Sequence, residues 1–330
     1  MIAPAADYLA AIRPGRIANR LCLSETSATI ISALRLARIA HYALKHGWTE
    51  KKMARAGSIP YLLGGSFHTL AYVEFGNPAA PAVVCVHGLT RNGRDFDPLA
   101  EALSDQFHVI CPDLPGRGKS SWLADSALYQ PPSYPAALSH LLAAINKPVA
   151  WVGTSLGGVC GLMLAAAANT PIIRMVLNDM GPHIPAAALA RIRDYMTKAP
   201  ERFPSIGALE AHLRLIHAPF GRLTDAQWAH LARHSARPVL GGAYTLHYDP
   251  KIADPIAASV PLDVDMWPLW SLIKIPVLAI RGESSDLLTA ETFERMRLDG
   301  AETLVVPDAG HAPALMDRPT IEAIRAFLSH

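Results

Sequence analysis

The stretch VAWVGTSLGGVCG, residues 149–161, decides the fold. Its first half is an apolar run of β type, and its second half passes at once into an alanine-rich helical pattern. A strand ending at Gly153 and a helix starting near Leu156 leave Ser155 at the apex of a very tight turn. An ordinary helix cap would need a serine there, but not three glycines within six residues. Small residues on both sides let the backbones cross closely, so the hydroxyl is presented outward above the end of the strand. The following helix turns its N-terminus towards the same point, where the Leu156 N–H can meet negative charge forming on a bound molecule.

Outward from that turn, short apolar runs alternate with helical patterns. The strand candidates are 82–88, 107–113, 149–153, 172–179, 275–282 and 302–308, preceded by a hairpin in which IPYLL and FHTLAYVEF flank Gly64-Gly65. Strands that are apolar on both faces and alternate with helices imply a mostly parallel sheet covered on both sides. Between Gly181 and Lys274 the alternation stops, and no strand candidate is found. Such a span is far longer than the usual connection of roughly 2–6 residues, so it reads as an inserted helical piece rich in tryptophan, tyrosine and histidine.

The 330 residues suffice for one large α/β domain with such an insert, and the formal charge of +2 argues against a nucleic-acid partner. The four cysteines, Cys22, Cys85, Cys111 and Cys160, have no metal-ligand or paired spacing and read as free thiols in a reducing compartment. No secretory leader and no membrane-spanning run is seen, so a soluble cytoplasmic protein is expected. Residues 1–56 differ from the rest, with nine Lys or Arg against three acids. Within them, 24–46 reads as a helix with a basic side. It either packs on the main domain or makes a membrane-surface or partner contact. A natural start at Met53 is the third reading.

A serine hydroxyl needs a base within hydrogen-bond reach. Of fourteen histidines, His311 is chosen because Gly310 precedes it and its loop follows the last strand. The imidazole in turn needs a carboxylate. Asp286, in RGESSDLL, is the first choice; Asp179 is the alternate, and Glu283 shares the Asp286 loop. In VCVHGLTRNGRDF, Gly88 frees the chain to turn, and the Leu89 N–H becomes the second donor beside that of Leu156. His87 reads as a brace of this loop. Arg91, Asn92 and Trp267 are candidate substrate contacts, with a salt-bridged Arg91 the simpler alternative. DLPGRGKS, 113–120, lacks a phosphate-cradling pattern and reads as a structural turn braced by Asp113.

These motifs, in this order, make the chain resemble the α/β-hydrolase superfamily, specifically its capped, cofactor-free bacterial members, over roughly residues 57–330. The resemblance implies a core at 57–181 and 271–330, a helical cap at 182–270 inserted after the sixth strand, and no metal or cofactor. It also implies Ser155 as nucleophile, Asp286 as acid and His311 as base. Residues 1–56 have no counterpart in the pattern, and the interval from Asp286 to His311 is short for it. A serine at the turn, where dehalogenases and epoxide hydrolases carry aspartate, implies acyl transfer. The expected activity is cleavage of a small ester-like molecule. Hydrolysis of a carbon–carbon bond, as in meta-cleavage-product hydrolases, and lactone opening are the alternatives; a non-catalytic ligand-binding homologue is the remaining one.

Overall fold

Eight strands form one sheet in the computed structural model, which describes residues 54–198 and 200–330. The basic segment 24–46 and the rest of residues 1–53 lie outside the described residues. In chain order the strands and helices are β1 (Arg55–Leu63), β2 (Ser66–Phe75), β3 (Ala82–Val86), α1 (Asp97–Leu103), β4 (His108–Pro112), α2 (Ser133–Ile145), β5 (Val149–Thr154), α3 (Leu156–Ala165) and β6 (Ile172–Asn178). There follow β7 (His183–Ile184), α4 (Ala186–Thr197), α5 (Ile206–Ile216), α6 (Asp225–Ser235), β8 (Ala236–Pro238), β9 (Tyr244–Leu246), α7 (Ala253–Ala258), β10 (Val264–Asp265) and α8 (Trp267–Trp270). The chain ends with β11 (Val277–Gly282), α9 (Ala290–Leu298), β12 (Glu302–Val306) and α10 (Arg318–Ser329).

The sheet order is β1-β2-β4-β3-β5-β6-β11-β12, with β1, β2 and β4 joined antiparallel and every other pair parallel. The hairpin expected around Gly64-Gly65 is present, with Leu63 opposite Ser66 and both glycines at positive φ (57° and 76°). Its first strand begins at Arg55, earlier than the sequence pattern suggests. Because β3, β4, β5, β6, β11 and β12 run the same way, the loops that follow them open at one edge. That edge collects Gly88, Asp113, Ser155, Asp179, Glu283 and His311.

Side chains alternate across the sheet as a two-residue period requires. Val84 and Val86 enter one core with Trp151, Leu138 and Leu162. Val83 and Cys85 enter the opposite core with Leu99, Leu103 and Phe327. Each such buried aliphatic or aromatic side chain contributes about 1.5–3 kcal/mol relative to exposure. The final helix, α10, shows the local logic. The Asp317 side chain accepts from the Thr320 N–H at its start, and Ile321, Ile324, Phe327 and Leu328 recur on one buried face.

Between β6 and β11 the insert is largely helical, with a core of its own in which Leu209 and Leu213 of α5 meet Trp228 and Leu231 of α6. It also carries two short antiparallel ribbons, β7 with β10 and β8 with β9, where the sequence pattern suggested no strand. Two or three residues per strand are too few for a period to show. No described helix is long and apolar enough to cross a membrane.

Candidate functional site

The turn after β5 is as tight as its glycines demand. Ser155 sits at φ 51°, ψ −113°, outside the regions a serine ordinarily occupies, at a cost of about 1–3 kcal/mol. Its N–H donates to the Asn178 carbonyl at 3.0 Å, and its own carbonyl accepts from Gly158 N–H at 2.8 Å. A Cβ on Gly157 would stand 2.0 Å from the Val86 carbonyl oxygen, and one on Gly153 2.4 Å from that of Gly157. These two glycines are therefore a packing requirement, since β5, α3 and the end of β3 meet with no room for a methyl group, and a Cβ on Gly158 would stand 2.7 Å from Met180 Cβ.

From that apex a chain of hydrogen bonds runs inward. The Ser155 hydroxyl lies 2.9 Å from His311 Nε2, and His311 Nδ1 lies 2.6 Å from Asp179 Oδ2. Asp179 is fully buried at the end of β6, itself at positive φ (52°). Its other contacts are donors too: Ser285 Oγ–H to Oδ2 at 2.6 Å and Gly282 N–H to Oδ1 at 3.0 Å. An acceptor-only carboxylate fits this ring of donors. It directs a proton onto His311 Nδ1, which leaves Nε2 free to accept from Ser155.

Asp286 does not take this place. Its carboxylate is half exposed and forms a two-point ion pair with Arg191 of α4, with the Nη2–Oδ1 contact at 2.8 Å. The cause is the conformation of its loop. Arg281 donates to the carbonyls of Leu288 (2.7 Å) and Ser285 (3.1 Å), pinning a turn that aims Ser285 at Asp179 and Asp286 outward. Glu283 is also elsewhere, with Oε2 accepting from Asp308 N–H at 3.1 Å.

The loop after β3 passes close over the serine, with Gly88 placed so that its missing Cβ would be 3.6 Å from Ser155 Cβ. Leu89 and Leu156 both line the cavity that Ser155 faces. His87 is buried and braces the loop: its Nδ1–H donates to the Gly88 carbonyl at 2.7 Å, and Nε2 accepts from Leu114 N–H at 2.9 Å. Burial pushes its pKa down to about 3, so the ring is neutral. Asp113 is the expected brace, accepting from Gly93 and Lys119 N–H groups, each at 2.8 Å. Arg117, in the same turn, is fully buried and donates through Nε to the Leu89 carbonyl at 2.9 Å. No sequence signal singled out Arg117, Ser285 or Asn178, which ties Thr154 to the His311 loop through the Pro313 carbonyl. The glycines around Arg117 mark a turn without revealing what the arginine reaches.

None of the three expected substrate contacts is among the residues lining the cavity that Ser155 faces. Arg91 is buried in a two-point pair with Asp95, at 2.6 and 2.8 Å. Asn92 caps the following turn and donates to the His234 carbonyl. Trp267 packs under Arg295, whose guanidinium carbon is 3.6 Å from the ring centroid. Its neighbours Met266 and Leu269 line the cavity instead. That cavity holds about 580 Å³, within the usual range for small-molecule sites. Its walls are Val159, Met163, Met180, Ile184, Leu189 and Ile192, with Asp263 as the charged side chain among its lining. Asp263 already accepts from Ala186 N–H at 2.7 Å and faces His183 at 3.2 Å. Metal-ligand-type side chains cluster among the described residues at Asp97, His230 and His234, none of which lines this cavity.

Comparison with known proteins agrees with this architecture. Residues 83–324 match the model of the alpha/beta hydrolase family. A 3-hydroxybutyrate-oligomer hydrolase of Cupriavidus necator is 40% identical over 287 residues, covering 83% of this chain and 98% of that protein. A 2-(acetamidomethylene)succinate hydrolase of Mesorhizobium japonicum is 29% identical over 257 residues, or 76% and 88% of the two chains. The crystal structure of an alpha/beta hydrolase from Novosphingobium aromaticivorans superposes with a TM-score of 0.75 at 34% identity, over 84% of this chain and 99% of that one.

Proposed function

The chain belongs to the alpha/beta-hydrolase family and is a hydrolase, and from that premise we propose that it cleaves neutral, apolar carboxylic esters by acyl transfer through Ser155. His311 takes the serine proton as Oγ attacks the ester carbonyl. Asp179 holds the ring tautomer and stabilises the imidazolium. The N–H groups of Leu89 and Leu156 receive the oxyanion, each contributing on the order of 3 kcal/mol. His311 then protonates the departing alcohol, and finally activates a water that releases the acid and frees Ser155. The helical insert serves as the cap, walling the acyl and alcohol pocket with α4 and the segment after α7.

One observation carries this reading: the unbroken Ser155–His311–Asp179 chain opens into an apolar cavity with neither Lys nor Arg among its described lining residues. Arg91, paired with Asp95, and Arg94, paired with Asp97, both lie outside that lining. That disfavours the carbon–carbon alternative, whose polar diketone acids need such a cation. Similarity to a hydrolase of 3-hydroxybutyrate oligomers supports an ester link between hydroxyacyl units as the bond cleaved, with the uncharged units and not the carboxylate end filling the cavity. Buried free thiols at Cys85, Cys111 and Cys160 support a reducing, cytoplasmic setting.

The test is a panel of p-nitrophenyl esters, 3-hydroxybutyrate oligomers with free and methylated carboxyl ends, a lactone and a vinylogous diketone. Lengthening the acyl chain from acetate to butyrate should raise kcat/KM by roughly an order of magnitude, at about 0.8 kcal/mol per methylene buried. Methylated oligomers should outrun the free acids of equal length. Faster turnover of the diketone or the lactone would overturn the assignment.

A further inference from the structure

A second constellation lies at the seam between the core and the insert. Asp97 is the first residue of α1. His230 and His234 are one turn apart on α6, so both rings leave the same face of that helix. One carboxylate oxygen and one nitrogen from each ring lie within 4.8 Å of one another. We propose that Asp97, His230 and His234 form a binding site for a divalent transition-metal ion of the zinc and cobalt class, with water as the fourth ligand.

The donor set is the kind such ions take, two imidazoles and a carboxylate on two separate elements. Tetrahedral bonds of about 2.0–2.1 Å place ligand atoms about 3.4 Å apart, so closure needs side-chain movements of only about 1 Å. Asp97 is buried, and its carboxylate faces both Arg94 and His230. Both imidazoles are partly exposed, which leaves a route from solvent.

Arg94 is the group an ion must displace. Its Nε lies 2.8 and 2.9 Å from the two Asp97 oxygens, and Nη2 also contacts Oδ2. His230 Nε2 lies 2.9 Å from the Arg94 carbonyl and 3.5 Å from Asp97 Oδ2. With about a third of its side chain exposed, Arg94 can swing into water. The exchange balances as follows. The guanidinium leaves the carboxylate, the ion takes its place, and the proton on His230 moves from Nε2 to Nδ1, which breaks the bond to the Arg94 carbonyl and leaves Nε2 to bind. Asn92 already joins the loop after β3 to the His234 carbonyl, so an ion here would tie α6 more firmly to that loop.

The experiment uses the full chain, stripped with chelator and titrated with cobalt(II). Readouts are calorimetric stoichiometry and the visible absorption of four-coordinate cobalt. One ion per chain is expected, with the spectrum saturating alongside the heat. His234→Ala and His230→Gln should each weaken binding by at least about tenfold, and Arg94→Ala should strengthen it by a similar factor. Melting curves show whether each variant is folded; if Arg94→Ala is not, the two histidine variants decide. Saturable binding that His234→Ala leaves unchanged, weaker binding by folded Arg94→Ala, or no saturation at millimolar cobalt would each overturn the proposal.

Discussion

Replacing Asp179 by asparagine separates the two candidate acids sharply. In the wild-type site every neighbour of this carboxylate donates: Gly282 N–H to Oδ1, and Ser285 Oγ–H and His311 Nδ1–H to Oδ2. The Gly282 N–H can only donate, whereas the Ser285 hydroxyl proton can rotate away while its oxygen goes on accepting from the Leu287 and Leu288 N–H groups at 3.2 Å each. An asparagine would keep its carbonyl on Gly282 and turn its amide N–H₂ towards His311. The ring would then carry its proton on Nε2 and could no longer accept from Ser155. In Ser-His-Asp enzymes that tautomer change lowers kcat by about 10⁴, or about 5.5 kcal/mol. Asp286→Asn, by contrast, removes an exposed ion pair with Arg191 worth about 0–1 kcal/mol, and should leave kcat within about twofold. The assay is the initial rate on p-nitrophenyl butyrate for both variants, purified alongside Ser155→Ala to set the background. A larger loss in Asp286→Asn than in Asp179→Asn would refute the reasoning.

Gly157→Ala should destabilise the fold by about 3 kcal/mol or more, because its methyl carbon would meet the Val86 carbonyl oxygen at 2.0 Å. Gly207→Ala, where the nearest atom is 3.7 Å away in the first turn of α5, should be neutral or slightly stabilising; urea melts compare the two. Acid should weaken the fold through His87. The unfolded chain takes up this proton near pH 6.5, whereas the buried ring resists it until about 3. Stability from this residue is therefore complete above about pH 6.5 and falls as pH drops towards 3, by up to about 1.4 kcal/mol per pH unit. His87→Gln should flatten the slope between pH 6.5 and 5 by about one proton. An unchanged slope would mean that the ring is not held neutral.

The elbow was legible because its glycines record a three-way steric contact that few other turns need. The sheet was legible because strands covered on both faces read as unbroken apolar runs. Ser155 and His311 followed, since the topology brings the loops after β5 and β12 to one edge. Which carboxylate meets His311 was harder to read. Asp179 and Asp286 follow strands that are neighbours in the sheet, and a sequence shows neither the positive φ of Asp179 nor the Arg281 contacts that turn Asp286 outward. The pairing of Arg91 with Asp95 has a signal in the sequence, their i,i+4 spacing. The Trp267 contact has none, because its partner Arg295 arrives from α9, far along the chain. The short ribbons of the insert are set by tertiary contacts and leave no periodic trace.

The proposed chemistry rests on a covalent acyl group at Ser155, and rapid-quench mass spectrometry reads that directly. The protein is mixed with p-nitrophenyl butyrate, quenched in acid within the first turnover, digested and mapped. A butyryl adduct on the peptide containing Ser155, absent from Ser155→Ala and accumulating with a burst of p-nitrophenol, is the expected result. Ester turnover with no adduct and no burst, or an adduct on another residue, would contradict acyl transfer through this serine.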